Sequence, residues 1–277
     1  MEFLGINAGL VVILGFVLLA LLRIPVFISL ALPSTVYVLA SDRPILFVVN
    51  RMVRTVDSFT LLAIPLFIYV GSLMNHGDIT EKIFDFADNI VGHLTGGLAQ
   101  VNIVTSLIFS GISGSALADV GGIGRVLIQT MSDNGYEKDF SAALTSASAT
   151  IGPIFPPSIP LILYGILAEV SVLQLLIAGA GPAILTTALL MIWTSYIARQ
   201  RNLPSNDERA TLSVVGNSLV IAAPALLTPV VLITGMLGGV FTPTEAAAVT
   251  VIYILIINTV IYRVTGFEYQ WPDRKSG

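Results

Sequence analysis

Long apolar runs alternate along this chain with short breaks that carry charge, glycine or proline. With roughly 20 residues needed per membrane crossing, the pattern predicts helices near 4–22, 24–41 and 58–75, then membrane segments near 98–132, 138–168, 171–198, 213–235 and 242–263. The stretch 78–91 breaks the pattern. Ile79, Ile83, Phe86 and Ile90 recur there at helical spacing among Asp78, Glu81, Lys82, Asp85 and Asp88, as expected of an amphipathic helix lying at the interface. Residues 43–57 form a candidate second interfacial element, and the polar tail from Glu268 to Gly277 is expected to fray.

Composition sharpens this into a class. Of 277 residues, 55% are hydrophobic and 11% charged, with a mean hydropathy of +0.89. Soluble domains carry about 25% charged residues, so a soluble globular enzyme, a disordered chain and a nucleic-acid binder with a basic face are excluded. A polytopic all-α membrane protein remains. The net charge of −4 points to no polyanionic partner. The absence of cysteine removes disulfides, thiolate metal sites and cysteine nucleophiles. Two histidines, His76 and His93, are too few for a histidine-built metal centre and flank membrane segments as interfacial residues. The N-terminus lacks a basic n-region and a small-residue cleavage site, which predicts a retained first helix.

Segment 98–132 has two readings, one broken crossing or a re-entrant hairpin. Its first limb, LAQVNIVTSLIFSG, would rise only about 21 Å as a helix, short of a hydrocarbon core of roughly 30 Å. It then runs through GISGSALADVGGIG and returns by RVLIQTM. A hairpin places Arg23, Lys82, Lys138, Arg199, Arg201, Arg209, Arg263, Arg274 and Lys275 on one side, with only Arg43, Arg51 and Arg54 opposite. The positive-inside rule therefore favours a hairpin entering from the cytoplasm, an external N-terminus and about seven crossings.

Non-helical backbone at membrane depth survives only where it is buried in protein or lines a polar cavity. Two places qualify. One is the hairpin tip at Gly111, Ser113, Gly114 and Ser115; the other is ATIGPIFPPSIP, residues 149–160, where Pro153, Pro156, Pro157 and Pro160 remove amide donors. Discontinuous helices of this kind build the ion and substrate sites of secondary transporters. A sodium ion needs several oxygens and no particular base, and Ser113, Ser115, Ser148 and Thr150 supply that type of ligand. The alternative is a pair of kinks packed by small residues. Asp119, at membrane depth, is either a functional carboxylate or a cap on the hairpin's second half-helix. Arg125 is placed to snorkel, and Glu169 falls at a solvated turn. Thr242-Pro243-Thr244-Glu245 reads as a capping box that starts the last helix.

Three strings taken together carry a resemblance: FSGISGSALADVGGIGRVLIQTM, then GYEKDFSAALTSASATIGPIFPPSIPLILY over 135–164, then GGVFTPTEAAAV. The chain resembles the large membrane subunit (permease, DctM-like) of tripartite ATP-independent periplasmic (TRAP) transporters from its N-terminus to about Trp271. That resemblance implies a sodium-coupled symporter of elevator type in the bacterial inner membrane. Its substrate would be an organic acid, its partners a small membrane subunit and a periplasmic binding protein, and its only cofactor-like species the coupling Na⁺. It further implies a sodium site at Ser113, Gly114 and Ser115 on the tip with Thr150, Gly152 and Pro153 opposite, and a substrate cleft near Ser115, Asp119, Pro156, Pro157 and Ser158. The implied division is 1–92 as scaffold, 93–200 as half of the transport domain, and 201–277 as the start of an inverted second repeat that is cut short.

Two other functions compete. One is a non-transporting fragment or scaffold completed by a second polypeptide, with Arg51 and Arg54 on a platform facing lipid or a partner subunit. The other is an intramembrane serine protease, because Gly111-Ile112-Ser113-Gly114 reads G-x-S-G. A serine nucleophile needs a base within reach, and both histidines are expected at the interface. The expectation is therefore no enzyme.

Overall fold

The computed structural model describes residues 2–3, 6–41, 43–57, 59–75, 79–205 and 209–262. His76, Asp78 and the expected tail lie outside them. The chain forms two compact units, Met1–Ser58 and Phe59–Gly277.

In the first unit a two-residue strand, β1 (Glu2–Phe3), pairs antiparallel with β2 (Ile6–Asn7), so the first helix starts later than the hydrophobic pattern suggests. Three helices follow, α1 (Ala8–Leu21), α2 (Val26–Ala40) and α3 (Leu46–Val56). α1 packs on α2, while Leu14, Leu18, Leu21, Leu30 and Val36 stay exposed. Such outward apolar faces suit a lipid environment.

The second unit opens with a 3₁₀ turn, Phe59–Leu62, leading into α4 (Ala63–Asn75) and α5 (Ile79–Val91). α5 is the amphipathic helix read from the sequence, but its apolar face meets protein. Ile79, Ile83, Phe86 and Ala87 are buried against neighbouring helices, while Ile90 points outward. α4 and α5 pack with the later helices of this unit. Burying five residues of that stripe against other helices satisfies the amphipathic pattern as well as an interface would.

Next come α6 (Leu98–Ser113), α7 (Ala116–Gly121) and α8 (Ile123–Asp133), then α9 (Lys138–Ala149), an irregular break, and α10 (Ile159–Leu167). The two ends of the 98–133 segment meet. Asn102 Nδ2 near the start of α6 donates to Met131 Sδ near the end of α8 at 3.4 Å. Tyr136 Oη, just beyond α8, reaches Gly96 O, just before α6, at 2.8 Å. A single crossing would place these pairs a membrane apart, so α6–α8 is a hairpin.

Three long helices complete the unit, α11 (Val172–Arg201), α12 (Leu212–Leu237) and α13 (Pro243–Ile256), the last running on through a π-helical turn, Ile257–Ile261. Among the described residues these three are individually long and apolar enough to cross a membrane. The remaining expected crossings are shorter or interrupted, as α1, α2, the 59–75 segment and the α9–α10 pair show. The predicted capping box is present: Thr242 N donates to Glu245 Oε2 at 2.8 Å and Glu245 N to Thr242 Oγ1 at 3.4 Å. The architecture is an all-α polytopic membrane protein. Its largest core joins Val70 and Met74 of α4, Ile79 and Ile83 of α5, Phe109 and Ile112 of α6, Leu127 of α8 and Ile254 of α13.

Candidate functional site

α6 is buried along most of its length, polar residues included. A buried polar group is tolerated only with a partner, and one face of α6 finds its partners on α9 and α7. Asn102 Nδ2 donates to Thr145 Oγ1 at 2.7 Å and Asn102 Oδ1 accepts from Ser148 Oγ at 3.0 Å. Ser106 and Ser148 share a hydrogen bond of 2.9 Å. Further up, Ser110 Oγ donates to Asp119 Oδ2 at 2.8 Å and Ser113 Oγ donates to Asp119 Oδ1.

The hairpin turns at Gly114. Its φ of 62° lies in the left-handed region that glycine enters without penalty, and it closes the C-terminus of α6. Ser115 is then extended and caps α7, its Oγ accepting from Ala118 N at 3.4 Å. Asp119 therefore does not cap the half-helix. Its buried carboxylate reaches back across the turn and ties α7 to α6.

The proline-rich break receives this tip. The Pro156-Pro157 bond is cis, and Ser158 caps α10 by accepting from Leu161 N at 3.2 Å while donating to Pro153 O at 2.5 Å. Ile159 N donates to Gly114 O at 3.2 Å. A Cβ on Gly114 would stand 2.3 Å from Pro157 O, and one on Gly152 would stand 2.9 Å from Asp119 Oδ2 and 3.3 Å from Ala116 N. The two irregular segments, separate in sequence, are one junction.

Most of the residues singled out from the sequence lie in it. Ser113, Gly114, Ser115, Asp119, Gly152, Pro157 and Ser158 are brought together directly, and Pro153 joins through its carbonyl. Pro156 is buried in the break. Thr150 is exposed, with its hydroxyl turned back to Ala147 O at 2.7 Å. Sequence reasoning passed over Asn102, Ser106, Ser110 and Thr145. Their signal was spacing: 102, 106, 110 and 113 place polar residues on one face of a mostly apolar helix.

The junction offers neutral oxygens beside one carboxylate, that of Asp119. Helix ends leave backbone carbonyls without intrahelical partners, and the α6 and α9 C-termini both end at this junction beside serine hydroxyls. Among the described residues no group of three His, Asp or Glu side chains gathers anywhere. Ser113, the serine of the G-x-S-G string, donates its hydrogen bond to the Asp119 carboxylate rather than to a histidine.

Comparison with known proteins places this geometry in a family. The family described as tripartite ATP-independent periplasmic transporter, DctM component, matches residues 13–270. The sialic acid TRAP transporter large permease protein SiaM of Vibrio cholerae is 44% identical over 90% of this chain and 58% of its own length. SiaT, the sialic acid TRAP transporter permease protein of Haemophilus influenzae, is 41% identical over 94% of this chain and 42% of its own length. For YiaN of Escherichia coli, a 2,3-diketo-L-gulonate TRAP transporter large permease protein, the figures are 38%, 80% and 52%. The chain thus spans about half the length of these curated relatives. A match over nearly every residue, with the hairpin and the proline break both inside it, makes this chain a member of the DctM family of TRAP transporter large permeases.

Proposed function

We propose that this chain is the large-permease part of a sodium-coupled importer of organic acids, working with a small membrane subunit and a periplasmic binding protein. The substrate class follows from relatives named for sialic acid and 2,3-diketo-L-gulonate. The observation that carries the reading is the docking of the hairpin tip on the proline break. It gathers hydroxyls and helix-end carbonyls at one point, as a coupling cation requires. In this reading Ser113, Gly114, Ser115, Gly152 and Pro153 surround Na⁺, with Thr150 at the rim. Ser115, Asp119, Pro156, Pro157 and Ser158 border the substrate path. The chain sits in the bacterial inner membrane with its N-terminus outside. The hairpin opens toward the cytoplasm, the side to which the positive-inside rule assigns Lys138, Arg199, Arg201 and Arg209.

Uptake of a labelled organic acid into proteoliposomes tests this, using the assembled transporter with its small subunit and loaded binding protein. An inward sodium gradient should drive uptake and a potassium gradient should not. Ser115→Ala and Gly152→Ala should raise the sodium concentration needed for half-maximal rate. Uptake indifferent to sodium refutes the coupling, and unchanged sodium dependence in both variants refutes the site.

A further inference from the structure

Between α1 and α2 runs a slender groove of about 300 Å³, walled by Val11, Gly15 and Leu18 on one side and Leu32, Val36 and Tyr37 on the other. Apart from the Tyr37 phenol, no side chain in its wall carries a polar atom. Gly15 lets the two helices approach: a Cβ there would stand 3.0 Å from Pro33 Cβ. From Val11 to Leu18 the groove follows α1 for about 10 Å at 1.5 Å per residue.

Arg43 stands at the Tyr37 end. The connection after α2 folds back on its last turn, Ser41 Oγ donating to Tyr37 O at 2.8 Å and Arg43 N to Val38 O at 3.3 Å. The exposed Arg43 guanidinium lies 4.9 Å from the centroid of the Phe47 ring at the start of α3, a cation held on an aromatic face. α3 continues the pattern. Phe47, Arg51 and Arg54 share one face by helical spacing, while Val49, Met52, Val53 and Val56 form the opposite face and are 48–78% exposed. From Arg43 to Val56 the sequence has three arginines and no Asp or Glu.

A narrow apolar slot that ends at a fixed cation matches a molecule with an apolar chain and an anionic head. Spread over its length, the groove's volume leaves a section of roughly 30 Å², room for a hydrocarbon chain, whereas a helix with its side chains is about 10 Å across. We infer that this unit binds an anionic membrane phospholipid: one acyl chain lies in the α1–α2 groove, the Arg43 guanidinium pairs with the phosphate, and α3 rests along the neighbouring headgroups. Guanidinium–phosphate pairs are charge-assisted and strong, and a phenol such as Tyr37 suits the headgroup level. An amphipathic helix with arginines on one face and valines on the other suits the same surface. The site rests on the membrane class of the chain alone, not on sodium or substrate.

The full chain in nanodiscs of equal phosphatidylglycerol and phosphatidylethanolamine, released for native mass spectrometry, reads which lipid stays bound. The parent should retain phosphatidylglycerol about fivefold over phosphatidylethanolamine, the effect of one basic residue on an anionic lipid. Arg43→Gln, at an exposed position, should abolish that preference. Arg54→Gln should leave it intact, because Arg54 lies seven residues, about 10 Å, along α3 from Phe47. Val36→Trp, which fills the groove from an exposed position, should lower retention of phosphatidylglycerol about threefold through lost packing. Glycerophosphoglycerol, the same head without chains, should displace no bound lipid. Equal retention of the two lipids by the parent overturns the site and leaves the groove to a protein partner. A preference that survives Arg43→Gln, or that falls equally in Arg54→Gln, also overturns it, by reducing the attraction to general surface charge. Unchanged retention in Val36→Trp, or displacement by glycerophosphoglycerol, overturns the seating of the chain; should Val36→Trp not fold, the competition decides.

Discussion

Asp119 and Ser110 are joined across the hairpin turn, the Ser110 hydroxyl on α6 donating to the Asp119 carboxylate on α7 at 2.8 Å. With the second bond from Ser113, this carboxylate holds the turn closed from inside. Asp119→Ala should therefore cost about 2 kcal/mol, since it leaves two buried hydroxyls facing a void. Asp119→Asn should cost less, because the amide oxygen still accepts. Thermal unfolding in detergent, followed by tryptophan fluorescence, measures both; equal stability of the two variants and the parent removes the tie from the account.

Gly114 and Gly152 make different demands on the same junction. A side chain at Gly114 meets the Pro157 carbonyl at 2.3 Å and must also adopt a positive φ, whereas at Gly152 it meets a carboxylate oxygen at 2.9 Å. Backbone cannot retreat as a side chain can. Gly114→Ala should thus destabilise the protein more than Gly152→Ala, with about 1 kcal/mol from the left-handed backbone alone. The reverse ranking would mean that the tip does not press on the break.

The polar seam between α6 and α9 gives a pairwise test. A double-mutant cycle of Asn102→Ala with Thr145→Val should show a coupling of about 0.6 kcal/mol, the average for interhelical hydrogen bonds within membranes. Strictly additive losses would show that the two side chains do not interact.

Asp88 on α5 predicts a pH dependence. Burial, and then the charge of Asp85, raise its pKa above the usual 3.8. Among the described residues its Oδ1 is buried without a hydrogen-bond donor. The folded state holds this proton more tightly than the unfolded state. Stability therefore falls as pH rises from the ordinary carboxylate value through the raised one. Asp88→Asn should flatten that decline and unfold at higher temperature than the parent near neutral pH. Parallel pH profiles would contradict this.

Much of the site was legible because irregularity at membrane depth is conspicuous. Gly111-Ile112-Ser113-Gly114-Ser115 and Pro153 through Pro160 stand out within apolar sequence, and charge placement chose the hairpin over a broken crossing. What those strings do not contain is which segment each one meets. The Gly114–Pro157 and Asp119–Gly152 contacts join residues more than thirty positions apart, and no local pattern encodes them. The same limit applies to α5. Its stripe of Ile79, Ile83 and Phe86 fits either an interface or a protein groove, and tertiary packing selects the groove. Asp119 could be read as a cap because its position in α7 permits one; Ser115 occupies that role, leaving the carboxylate free to reach back.

The central claim is that the junction of hairpin tip and proline break binds sodium, and sodium-selective stabilisation of the purified chain in nanodiscs tests it most directly. The unfolding temperature should rise as NaCl replaces KCl at constant ionic strength. That rise should vanish in Ser115→Ala, whose lost α7 cap lowers stability equally in both salts. An identical unfolding temperature in sodium and potassium, or an undiminished sodium shift in Ser115→Ala, would contradict the account.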